Sequence, residues 1–236
     1  MLFDSPSVSA VDRALIVLAT LAQRGCAMTA AELKQRTALS QSTLYRQLAA
    51  LKRWGFVLET DGSYAPGPLG LQLAFGFDLA SHLVQHARTA MLALAKQSQE
   101  SVGLLVVANG QAVCIDMIES RQALRCSFEK GRSVPLRCGA SAKCLRAHLP
   151  ADALSSAAEL AADELGAIRQ AGFAVSDSEV DPGVWGVSAP LFSLGKRAVG
   201  ALTLMAPSAR VGDRRSPMIQ MTVVAAARIS RSLSKH

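Results

Sequence analysis

A helix start, a two-residue turn, a second helix start and a hairpin follow one another within residues 29 to 65, and that order leaves the chain few folds to adopt. Thr29 and Glu32 form a T-x-x-E capping box, each side chain satisfying a backbone N–H at the other position, which opens a helix over Ala30 to Thr37 with Ala30 and Leu33 on its inner face. Ala38 and Leu39 make the turn. Ser40 can cap the next helix with its hydroxyl, and Gly55 stands where a left-handed residue would end it. Upstream, Val11, Ala14, Leu15, Leu18, Leu21 and Ala22 recur at helical spacing from Val11 to Arg24. Three helices in about 45 residues, the last two joined by a tight turn, is helix-turn-helix spacing.

Within Ser40 to Gly55, Leu44, Leu48 and Leu51 make one apolar stripe, whereas Ser42, Tyr45, Arg46, Ala49, Lys52 and Arg53 share another face. No acidic residue interrupts Lys34 to Arg53, a span that also holds Arg36, Arg46 and Lys52. Such a helix can be an ordinary amphipathic one with a solvated basic face, or it can enter a DNA groove. In the second reading Arg36, Arg46, Lys52 and Arg53 neutralise phosphates, while Gln41, Ser42, Thr43 and Tyr45 stand at the helix end that reaches base edges. Arg46 suits either a guanine edge or a phosphate. Phe56 to Glu59 and Ser63 to Ala65 then flank Asp61-Gly62, a pair suited to the positive φ angles of a type I′ turn. This ribbon is a wing, or two strands that only pack on the helices.

Charge alone does not decide between these. The chain carries a net +7, yet residues 1 to 80 hold seven Lys/Arg against six Asp/Glu, so the excess lies elsewhere and any DNA contact rests on the local cluster. No apolar run reaches the roughly 20 residues of a membrane span, and the first ten residues lack a basic region leading into an apolar signal core, so a cytoplasmic protein without membrane partners is expected. The five cysteines are scattered without a C-x-x-C pair, which argues against a disulfide framework or zinc knuckle, and no cofactor is expected.

Pro66-Gly67-Pro68-Gly70 marks a boundary. Leu69 to Gln99 reads as helix, with Leu71, Phe75, Leu79, Leu83, Ala87, Met91 and Leu94 apolar enough to pack on the chain itself or on a second copy. Beyond it come strands at Val102 to Ala108 and Ala112 to Glu119 around Asn109-Gly110, then Ala123 to Phe128. Helices follow at Ala140 to Leu149 and Leu160 to Gln170, then strands at Phe173 to Glu179, Val184 to Phe192 and Ala198 to Met205, the last two joined through Gly195-Lys196, and a helix from Met218 to Leu233. The fold class is α+β, with helices lying on an antiparallel sheet. The expected divisions are 1-66, 67-99 and 100-236.

Two stretches of the last division suggest a ligand. Cys138, Gly139, Ala140, Ser141, Ala142 and Lys143 are mostly small residues opening a helix, where free N–H groups attract carboxylates, although a plain helix start has the same look. Asp177 and Glu179 alternate along an expected strand, so both would face one side as acceptors for a ligand hydroxyl or as solvated charge. Enzyme chemistry has thinner support. Cys144 and His148 stand at i, i+4 without a third orienting group, and His82 and His86 share a helix face without a further metal ligand nearby in sequence.

In order along the chain, Ala10-Val11-Asp12-Arg13-Ala14, Ser42 to Leu48, Gly55-Phe56-Val57, Ala171-Gly172-Phe173-Ala174, Gly183, Ala189-Pro190, Gly200-Ala201-Leu202 and Pro207 to Arg210 resemble the IclR family of bacterial transcription regulators. The resemblance implies an N-terminal winged helix-turn-helix, a linker helix, and a C-terminal GAF-like effector-binding domain. It implies a non-enzymatic regulator of a catabolic operon, with operator DNA and a small organic-acid effector as partners. Winged modules of this size bury little surface alone, so a homodimer or a dimer of dimers is expected, with Leu71, Phe75 and Leu79 as candidate contacts. The effector falls at Cys138 to Lys143. Where relatives that bind small oxoacids carry polar Cys or Ser, this chain has Gly186 and, after Thr203, Met205, which points to a larger or more apolar acid. A ligand sensor whose helix-turn-helix contacts protein instead of DNA is the alternative.

Overall fold

The computed structural model describes residues 9–149, 161–193 and 198–234, with backbone only at 78–80, and divides into two units, Met1–Ser81 and His82–His236. The first unit begins with α1 (Ala10–Arg24), opened by a capping box between Ser9 and Asp12. Val17 and Leu21 are its buried positions, while Val11 and Leu15 of the apolar stripe stay exposed. After β1 (Met28–Thr29), the expected Thr29–Glu32 box opens α2 (Ala30–Thr37), and Ala38 ends it at φ 54°. Helix α3 (Gln41–Arg53) follows, then β2 (Val57–Thr60), β3 (Ser63–Pro66) and α4 (Pro68–Ala80). Asp61 and Gly62 both have positive φ, as the hairpin requires. Strand β1 was not anticipated; it pairs with β3 to give the antiparallel order β1–β3–β2. Leu33, Leu44, Leu48, Val57 and Tyr64 close the core.

Gly67 fixes where the wing ends. A Cβ there would lie 2.3 Å from the Gly55 carbonyl oxygen, and its N–H donates to the Phe56 carbonyl at 2.7 Å, so only glycine lets the two segments approach this closely.

The expected single helix over Leu69 to Gln99 is two, α4 and α5 (His82–Ser98), because Ser81 leaves helical dihedrals at ψ 97°. Apolar spacing continues across the break and therefore hides it. Along α4, Leu71, Leu73, Phe75 and Phe77 are all exposed, Leu71 to 75%.

The second unit is a six-stranded antiparallel sheet in the order β6–β5–β4–β9–β8–β7. Its central strands are β4 (Ser101–Ala108), β5 (Gln111–Ile118), β8 (Val184–Phe192) and β9 (Ala198–Pro207), and its edges are the short β6 (Ser133–Pro135) and β7 (Ala174–Asp177). Because side chains alternate between faces, Trp185, Val187, Leu202 and Leu204 pack toward α5 and α8 (Arg215–Leu233), whereas Leu105, Ala112 and Ala201 pack toward α6 (Ala140–His148) and α7 (Ala162–Ala171).

Two expected strands need correction. Ala123 to Phe128 is not a strand. Carbonyls in this stretch accept from side chains instead, Leu124 from Arg210 at 2.7 Å and Cys126 from Ser101, and the third strand is β6. Strand β7 stops at Asp177, two residues early, because Ser178 takes φ 56°. The expected join at Gly195-Lys196 lies outside the described residues.

One buried charge ties a corner of this unit together. Glu100, fully buried between α5 and β4, accepts from Arg210 at 2.9 and 2.7 Å and lies 3.7 Å from Arg214. Arg210 and Arg214 belong to the two 3₁₀ turns that lead into α8.

Candidate DNA interface and effector cavity

Ser40 accepts from the Thr43 backbone N–H and donates to the Thr43 hydroxyl at 2.9 Å, so Thr43 is drawn into the cap and is half-buried. Gln41, Ser42, Tyr45 and Arg46 stay exposed together on α3, with Ala49 beside them. Arg46 and Arg53 have no acidic partner among the described residues, whereas Arg36 on α2 feels the Glu32 carboxylate.

Lys52 is differently placed from the other cations. Its ammonium is bonded to Glu59 of β2, which also accepts from the Tyr64 hydroxyl of β3 at 3.1 Å. Lys52 and Tyr64 hold the Glu59 carboxyl below its ordinary range. The arrangement ties the wing to the C-terminal end of α3 and neutralises a cation that the sequence assigns to phosphate.

In the second unit a cavity of about 50 Å³ lies between the start of α6, the sheet and the turn joining β7 to β8. Of the expected ligand residues, Ala140, Ser141, Gly186, Thr203 and Met205 line it. Leu105, Phe128 and Val134 add apolar wall, and Val180, Asp181 and Val184 close it from the turn. Register explains the grouping: Ser176 opposes Gly186, and Gly186 opposes Met205, so all three side-chain positions face α6. A Cβ on Gly186 would meet the Ser176 Oγ at 3.4 Å and the Ala140 Cβ at 3.6 Å, ordinary contact distances, so a small side chain would fit there and glycine leaves that space to the cavity. Ser141, only 8% exposed, lines the space, and its hydroxyl makes no hydrogen bond among the described residues.

Cys138, Ala142, Asp177 and Glu179 are not among the lining residues. Ala142 is packed in the core with Cys144 and Leu145. Asp177 accepts from Ser208 at 2.7 Å, and Glu179 lies past the strand end, so the two carboxylates do not share a strand face. Glu179 instead accepts from the Gly139 N–H at 2.9 Å and from Lys143 at 2.6 Å. Burial lowers the Lys143 pKa, and the carboxylates of Glu179 and Glu164 more than offset it, so the net shift is upward. Sequence reasoning missed Ser176, Phe128 and Asp181. Asp181-Pro182-Gly183 is a turn signal that could have pointed to Asp181, whereas Ser176 and Phe128 join the site only through contacts distant in sequence.

Cys144 and His148 do not form a reactive pair: the His148 ring meets the Cys144 carbonyl at 2.9 Å, not the thiol. Burial pushes the Cys144 and Cys114 thiols up to about 12 and Cys126 up to about 11. At neutral pH we expect iodoacetamide to label Cys26 and Cys138 and to spare the other three, as read by mass spectrometry of the folded protein. Labelling of Cys144 as fast as Cys26 would contradict this. The His82 and His86 rings lie with centres 4.1 Å apart and planes tilted by 49°, and no group of three or more His, Cys, Asp or Glu among the described residues is placed to hold a metal.

An exposed α3 beside a hairpin wing in one unit, and a partly apolar cavity at a helix start in the other, define an effector-responsive transcription regulator. The chain matches the IclR helix-turn-helix domain over residues 10–61 and the bacterial transcriptional regulator IclR C-terminal domain over residues 79–231. It belongs to the IclR family. It is similar to the HTH-type transcriptional regulator BhcR of Paracoccus denitrificans, 30% identical over 95% of this chain and 87% of that protein. Among solved structures it is similar in fold to an IclR transcriptional regulator from Alicyclobacillus acidocaldarius, with TM-score 0.77 and 20% identity, covering 98% of this chain and 100% of that one. It is also similar to an IclR homolog complexed with 4-hydroxybenzoate from Microbacterium hydrocarbonoxydans, with TM-score 0.71 and 22% identity, covering 95% of this chain and 99% of that one.

Proposed function

We propose that this regulator binds double-stranded operator DNA in the cytoplasm as a homodimer, singly or in pairs, and is governed by a small organic acid without catalysing a reaction. Arg46, exposed and without an acidic partner among the described residues, beside exposed Gln41, Ser42 and Tyr45, carries the DNA reading. Ser42, Tyr45 and Gln41 read base edges, Arg46 reads a guanine or fixes register, and Arg36 and Arg53 hold phosphates. Thr43 and Lys52 serve the helix cap and the wing, and so position the other residues.

Exposed Leu71, Leu73, Phe75 and Phe77 on α4 support dimerisation, since a free apolar helix of this kind lowers its energy by burial against a second copy. Half-sites then lie about one turn, roughly 34 Å, or a multiple apart. Genomic fragments selected with purified protein would supply the operator. On that site log K is expected to fall with log salt with a slope of about 0.9 per neutralised phosphate. A flat salt response would favour a helix-turn-helix that contacts protein, and a monomer bound to one half-site would remove the dimer.

For the effector, Ser141 and the helix start receive a carboxylate, and Phe128, Val134 and Met205 receive its apolar part. The 4-hydroxybenzoate bound by a relative supports an acid of this chemistry. One water needs about 10–15 Å³ by the same measure, so about 50 Å³ accepts a few non-hydrogen atoms, and a benzoate-sized acid requires the β7–β8 turn to move. The acid acts by binding one arrangement of the regulator better than another and so changing its affinity for DNA.

A further inference from the structure

The turn over the cavity is latched on both sides. Asp181 bonds Arg132 at 3.2 Å through both carboxylate oxygens, and the Arg132 guanidinium lies 4.6 Å from the centre of the Phe128 ring. On the other side Glu179 occupies the first N–H of the α6 start, on Gly139, at 2.9 Å and the Lys143 ammonium at 2.6 Å. Ser176 takes the next N–H, on Ala140, at 3.0 Å. The helix start therefore already holds a carboxylate, supplied by the chain itself. Val180 follows directly and packs on the helix start, where a Cβ on Gly139 would come 2.6 Å from its Cγ2, so the turn that carries Glu179 rests against the same glycine whose N–H Glu179 binds. Beneath that turn, buried Ser141 lines the cavity with its hydroxyl unpartnered among the described residues.

We propose that Glu179 is an internal competitor for the effector's carboxylate, so that an incoming acid takes over the Gly139 N–H and Lys143 and the β7–β8 turn is released. This rests on the reading of the cavity as the effector site. It makes Glu179 a determinant of affinity and selectivity: only an anion that replaces its two contacts opens the turn, and neutral molecules of the same shape are refused. Lys143 stays partnered throughout, by Glu179 when the site is empty and by the ligand when it is filled, and Glu164 stands 3.4 Å from its ammonium in the empty site.

Calorimetric titration of the full chain with acetate, benzoate and 4-hydroxybenzoate tests this, using Glu179→Gln and Glu179→Ala beside the unaltered protein. Removing the competitor frees two charge-assisted contacts at a partly exposed site, and the expected result is about tenfold tighter binding of the same acid to both variants. Glu179→Gln keeps the side-chain shape, so it reports even if the alanine variant is unstable. Ser141→Leu, which fills the cavity, is expected to abolish binding in either background. If acids bind, Ser141→Leu abolishes that binding, and the Glu179 variants bind equally or more weakly, the competitor role is overturned while the effector site stands. Failure of every probe to bind any of the proteins, or binding that survives Ser141→Leu, overturns both.

Discussion

Arg46→Ala is expected to abolish operator binding. A well-made arginine contact to a base edge contributes about 1–3 kcal/mol, and a dimer loses it at both half-sites, so affinity should fall by roughly one and a half to four powers of ten. The side chain is exposed on α3 with no acidic partner among the described residues, and its loss leaves the core of Leu44, Leu48 and Val57 untouched. The melting temperature should therefore hold while the gel shift disappears. Lys52→Ala makes the useful contrast, because its charge is already matched by Glu59 and its removal loosens the wing instead. Unchanged operator affinity of the Arg46 variant at physiological salt would remove Arg46 from the interface.

Arg210→Ala should be the most destabilising single change on the effector unit outside its apolar core. It strands the fully buried Glu100 carboxylate with only Arg214 at 3.7 Å, and breaking a buried pair from one side costs about 3–5 kcal/mol. The loss is expected as a lower urea midpoint with an unchanged slope. Arg210→Lys should recover only part of it, since an ammonium cannot reproduce the two-pronged contact at 2.9 and 2.7 Å or also reach the Leu124 carbonyl. A shift below about 1 kcal/mol for the alanine variant would mean that Glu100 is not held by this arginine.

What the sequence made legible follows from how far apart the interacting residues lie. Thr29 with Glu32, the Ser40 helix cap and the Asp61-Gly62 turn act within four residues, and each occurs as expected. The antiparallel sheet with helices on it was also legible, because Val184 to Phe192 and Ala198 to Met205 are long, largely apolar runs; that helices cover both faces was not. Other features depend on distant partners. Ala123 to Phe128 alternates well enough for a strand, but Arg210 and Ser101 capture its carbonyls. Alternation put Asp177 and Glu179 on one face only by assuming extended backbone at Ser178, and one left-handed residue sends Glu179 to the α6 start. The pairing of Lys52 with Glu59 spans a helix end and a strand, so a pattern of cations along a helix could not disclose that one was already matched.

The narrow margins of the six-stranded sheet bear on how this protein behaves at high concentration. Its outermost strands, β6 with three residues and β7 with four, expose only a brief run of backbone donors and acceptors to a neighbour. A partly unfolded copy therefore finds no long strand to extend, which protects a regulator with a largely apolar sheet from fibril-like growth. Any lasting contact between copies of this unit is left to its helices and loops, where side chains rather than backbone decide who may bind.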